Sequence, residues 1–100
     1  MTKIKRYVKD IDDELDGAKC YIEKALWYKS KGDQNRYAKY REMSMQELQH
    51  AMNLHEFAVA DIEQLEKVYP EIPEKMLNAW DKSHNEFVEK TAWIKQMQAM

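Results

Sequence analysis

Glu14, Glu47 and His50 are the residues of this 100-residue chain whose types and spacing could do chemistry. Each glutamate interrupts a helical seam whose neighbouring positions are apolar, aromatic or small, and His50 follows Glu47 at the i+3 position. A carboxylate in a packed seam is costly unless it is paired or holds a cation. Carboxylates bridge hard cations, and imidazole favours iron, zinc and related transition metals. A Glu-x-x-His pair presents both side chains on one helix face. Together these residues suggest a metal site built inside a helix bundle.

The seams that must position them can be read directly. One runs Ile4, Tyr7, Ile11, Glu14, Ala18, Tyr21, Ala25, Tyr28; the next runs Tyr37, Tyr40, Ser44, Glu47, Ala51, Leu54, Ala58, Asp61, Leu65, Val68. Alternating steps of three and four residues mark a helix stripe facing a partner helix. Around the acids the seam residues Ala18, Ser44 and Ala51 are small, which leaves room for polar groups and an ion.

The spacing predicts helices over 3–30, 34–68 and 74–97 in one all-α domain spanning residues 1–100. Gly32 suits a C-terminal cap and Asp33 an N-cap. The run Tyr69-Pro70-Glu71-Ile72-Pro73 breaks the second helix, and Pro73 suits the start of the third. The third seam is Leu77, Trp80, His84, Phe87, Thr91, Ile94. A short turn makes the first two helices an antiparallel hairpin. Glu14 lies about 17 residues before the turn and Glu47 about 15 after it, so at about 1.5 Å per residue their heights differ by about 3 Å. The two carboxylates are expected to meet across the hairpin. Tyr21 lies on the Glu14 stripe, where its hydroxyl could donate to the site.

Carboxylate-bridged di-iron sites in bundles use a lone Glu on one helix and Glu-x-x-His on a neighbour, each twice. This chain carries that set once. A two-fold homodimer would supply the second copy through an isologous interface.

The run Asp13-Glu14-Leu15-Asp16, then Cys20-Tyr21, then Glu47-Leu48-Gln49-His50-Ala51-Met52, resembles the ferritin-like superfamily, and is most similar to the encapsulated ferritins. Those are half-length, mainly two-helix proteins that build a di-iron ferroxidase centre only across a subunit interface. The resemblance implies a ferritin-like hairpin plus a third helix, with dimerisation completing a four-helix bundle. It implies that Glu14, Glu47 and His50 are iron ligands, that Tyr21 lies beside them, and that Asp13 and Asp16 belong to an iron access path. It further implies oxidation of Fe²⁺ to Fe³⁺ for storage or detoxification, with Mn or Zn as substitutes, and a homodimer or a ring of dimers. Many members carry a Gly-Ser-Leu-like tail that addresses them to a nanocompartment. Residues 93–100 carry no such motif, so an encapsulin-type shell is expected only as a candidate partner of a cytoplasmic protein. Cys20 stands where the family has an aromatic residue, and the third helix is longer than the resemblance leads one to expect.

Composition narrows the alternatives. With 16 basic and 18 acidic residues the net charge is −2, and the basic residues are not gathered in one block, so nucleic acid is not an expected partner. No apolar run suits a membrane span, and no apolar signal core follows the basic start. One cysteine excludes an internal disulfide framework and fits a reducing compartment.

Other residues carry plainer expectations. Tyr7, Tyr28, Tyr37 and Tyr40 are seam and interface aromatics, and Met43, Met45 and Met52 suit packing. Asp61 is expected to face solvent, with Ile62 as the alternative seam residue. His84 is expected to pack between Trp80 and Phe87, and His55 to face solvent or a subunit interface. Cys20 is expected to be a structural or adventitious thiol. Gly17, in mid-helix, would permit close approach of another helix. The competing function is a non-enzymatic helical oligomerisation or adaptor protein, with Glu14 and Glu47 setting register through a basic group. No lysine or arginine sits in either seam near the two acids, which favours a cation from outside.

Overall fold

The computed structural model describes residues 2–69 and 71–100. Among these residues there are three helices and no strand: α1 (Thr2–Ser30), α2 (Gln34–Val68) and α3 (Glu74–Gln98). The turn between α1 and α2 has the expected chemistry. Gly32 takes a φ of 78°, which a glycine adopts without a Cβ penalty. The Asp33 amide donates to the Tyr28 carbonyl at 3.0 Å, closing α1. Asp33 then caps α2: its carboxylate accepts the Arg36 amide at 3.0 Å and pairs with the Arg36 guanidinium at 2.6 Å. Those two bonds hold the Asp33 carboxyl below the usual carboxylate range. Pro70 lies outside the described residues. Tyr69 closes α2, and Pro73 sits at the cap of α3 with its carbonyl accepting from Met76 and Leu77.

α1 and α2 lie side by side in opposite directions. Lys3 pairs with Asp61, Ala18 meets Ser44, and Tyr28 stacks on Tyr40. α3 packs along one side of this pair, parallel to α1 and antiparallel to α2. Lys19 lies over the Trp93 ring, His55 meets His84, and Gln98 reaches Ser44. The result is a rod of about 56 × 18 × 16 Å.

The core is long and narrow. Ile4, Ile11, Ala18 and Ala25 are buried as the first seam predicts, as are Ala51 and Ala58 of the second. Leu15, Ile22 and Leu48 are buried as well, with Ile62, Trp80 and Ile94. A helix with two neighbours buries a wider stripe than one seam. Leu15 lines a cleft with Trp93 and Ile94, on the side of α1 that α3 covers. No helix of the described residues is long and apolar enough to cross a membrane.

Three expectations need correction. Asp61 is half-buried and pairs with Lys3 at 3.0 Å, because the flexible lysine stem reaches across the helix pair; Ile62 is buried beside it. His55 does not face solvent. It is half-buried, stacked on Phe87 at 4.1 Å between ring centroids, with its Nε2 2.8 Å from His84 Nδ1. The third helix covers that side of α2. Met43 and Met45 are exposed, and only Met52 packs against the core.

Candidate metal centre

Glu14 on α1 and Glu47 and His50 on α2 converge. One ligand-capable atom from each lies within 4.8 Å of the other two. His50 Nδ1 is 3.6 Å from Glu14 Oε2, and the His50 side chain is 57% exposed. The group sits on the side of the helix pair turned away from α3. The α3 contacts of α2 are made by Arg41, Ser44 and His55; His50 lies on the opposite side of α2, with Glu47 between them along the α1 seam.

Local register comes from a polar clasp. Ser44, fully buried, donates from Oγ to the Ala18 carbonyl at 2.6 Å and accepts from Gln98 Nε2 at 3.0 Å. Ser44 stands one turn before Glu47, and Ala18 one turn after Glu14. The small residue therefore does more than leave space: it ties the two carboxylate-bearing turns together. Gln98 had no signal in the sequence that would have placed it there.

The electrostatics of the group are unbalanced. Glu14 beside it raises the Glu47 carboxyl above its ordinary range by favouring a shared proton; partial burial adds to this and His50 opposes it. Glu14 Oε2 is closed off from solvent and has no hydrogen-bond partner. Among the described residues, no lysine or arginine forms an ion pair with Glu14 or Glu47. Two carboxylates and an imidazole fit iron, manganese or zinc as a donor set, and a cation would satisfy the orphaned oxygen.

Gly17 borders the group. A Cβ built there would lie 3.1 Å from Glu47 Oε2, 3.5 Å from its Cδ and 3.6 Å from its Cγ. The space left by the missing side chain is filled by a carboxylate from α2. In a helix interior a glycine costs about 1 kcal/mol relative to alanine.

The remaining residues singled out by sequence fall elsewhere. The Tyr21 ring lies 6.1 Å from Tyr40, which stacks on Tyr28 at 5.5 Å, and Lys24 lies over Tyr21 and Tyr40. Among the described residues no hydrogen bond joins the Tyr21 hydroxyl to either glutamate. Asp13 is exposed and pairs with Lys9 at 2.8 Å. Asp16 is exposed and lines a cleft with Lys19, Glu89 and Trp93, toward α3. Neither aspartate is brought to the Glu14 group. Cys20 is an exposed free thiol.

No protein-family model, curated protein or solved structure matches this chain.

Proposed function

We propose that two copies of this chain form a ferroxidase that oxidises Fe²⁺ to Fe³⁺, with Glu14, Glu47 and His50 of each copy as the iron ligands. The observation that carries this reading is the convergence of the three side chains with no lysine or arginine paired to either glutamate among the described residues. The resemblance of roughly residues 10–58 to the encapsulated ferritins supports it.

The dimer follows from the ligand count. One chain offers three donors, half of a dinuclear set. Phe57 is 55% exposed and Met43 38% exposed, and both flank His50 on the face turned from α3. A second copy seated there would bury these residues and bring a second Glu14, Glu47 and His50 opposite the first. Higher assembly as a ring of dimers, an encapsulin-type shell and a cytoplasmic location belong to the same proposal.

The substrate is ferrous iron. Two Fe²⁺ ions each give one electron, and dioxygen takes both with two protons and leaves as hydrogen peroxide. The carboxylates supply the negative charge that favours Fe³⁺ over Fe²⁺. Six protein donors shared by two ions leave room for oxidant, unlike a closed structural site. Manganese or zinc would occupy the same donors, zinc without redox chemistry.

The competing reading is a non-enzymatic helical assembly protein. The raised carboxyl of Glu47 favours it, because a proton shared with Glu14 would let the pair set register without metal. Anaerobic Fe²⁺ titration followed by oxygen separates the two. The ferroxidase reading expects two tightly bound Fe²⁺ per dimer, and oxygen uptake of one O₂ per two irons. Absence of saturable binding would leave the assembly reading in its place.

A further inference from the structure

We infer that Gly17 is a positioning residue for the Glu14–Glu47–His50 group, acting through the seat it gives the Glu47 carboxylate; the inference rests on the proposed metal site. The carboxyl end of Glu47 lies directly over Gly17, with Oε2 3.1 Å from where a Cβ would stand. That is closer than an alanine methyl and a carboxylate settle without one of them giving way. The helices are not free to give. Leu48 and Ala51 of α2 and Ala18 of α1 are buried, and the Ser44 hydroxyl holds the Ala18 carbonyl at 2.6 Å. The Glu47 side chain is only partly buried, so it is the part that moves. A methyl at position 17 would push its oxygens a few tenths of an ångström away from α1, off their place in the cluster.

The consequence is a split between fold and site. Alanine is the better helix former, so Gly17→Ala is expected to leave the metal-free protein as stable or to raise its Tm by a few degrees. Metal affinity is expected to fall, by the roughly 10- to 100-fold that follows when a group orienting a ligand is changed. A glycine needed only for helix packing would lower stability and affinity together.

The test is calorimetric titration of the metal-free protein with Zn²⁺, and with Fe²⁺ under argon, alongside thermal unfolding by circular dichroism. Wild type, Gly17→Ala, Glu47→Asp and the double variant are compared. The expected result is a drop of at least about tenfold in affinity for Gly17→Ala, with unchanged helicity. In the double variant, the shorter Asp side chain no longer reaches the position-17 methyl. The alanine then adds no further loss, which marks coupling between the two sites. Unchanged affinity in Gly17→Ala, a lower metal-free Tm, or additive losses in the double variant would each overturn the inference while leaving the metal site intact. Failure of wild type to bind either ion would overturn the metal site itself, and the positioning role with it.

Discussion

The hydroxyl of Ser44 and the carbonyl of Ala18 are 2.6 Å apart, and this single buried bond joins α1 to α2 one turn from Glu14 and Glu47. The same hydroxyl accepts from Gln98, so all three helices meet at one side chain. Ser44→Ala strands the Gln98 amide in a buried position. The expected loss is about 1–3 kcal/mol. Urea unfolding should show a lower midpoint with an unchanged slope.

Removal of a ligand should separate binding from folding. Glu47→Ala deletes a partly buried acid that lacks a basic partner, so the helices are expected to remain. Tight dinuclear binding is expected to disappear. Circular dichroism and metal analysis after iron loading check the two halves of the statement; two metals per dimer at unchanged affinity would contradict it.

The exposed face beside His50 should govern assembly. Phe57→Lys places a charge where a second copy is expected to dock, and should shift the protein toward monomer at micromolar concentration. Light scattering measures this directly. Metal binding should weaken in parallel, because each chain holds only half of the donors.

Stability should fall on mild acidification. Burial, and then the neighbouring His84, hold the His55 imidazole below its ordinary range. The unfolded chain therefore takes up protons first as pH drops below about 6.5. The contribution of His55 is fully present above that pH and is lost as pH falls through the lower folded value. Thermal unfolding midpoints should decline between about pH 7.5 and about pH 5. His55→Phe, which keeps a ring against Phe87 and Trp80, should flatten the decline.

The helices and their register were legible because the three-four spacing is continuous through both seams and the Gly32-Asp33 turn is chemically explicit. The meeting of Glu14 with Glu47 followed from counting residues to that turn. Side-on packing was not legible. A seam written for one partner has no place for Leu15 and Ile22, which are buried once α3 lies along a second side of α1. For the same reason His55 lies under α3 and not in solvent. Asp61 was misread because a lysine stem reaches farther than seam spacing conveys. Gly17 could be marked as a close approach, but its occupant, a carboxylate one helix away, depends on a side-chain rotamer that no sequence pattern encodes.

Stopped-flow absorbance after mixing Fe²⁺-loaded protein with oxygen tests the central claim most directly. Wild type should oxidise iron well above the uncatalysed rate, saturate at two Fe²⁺ per dimer, and be inhibited by zinc. Glu14→Ala should return the rate to background. Oxidation by wild type at only the background rate, at saturating Fe²⁺, would contradict the account.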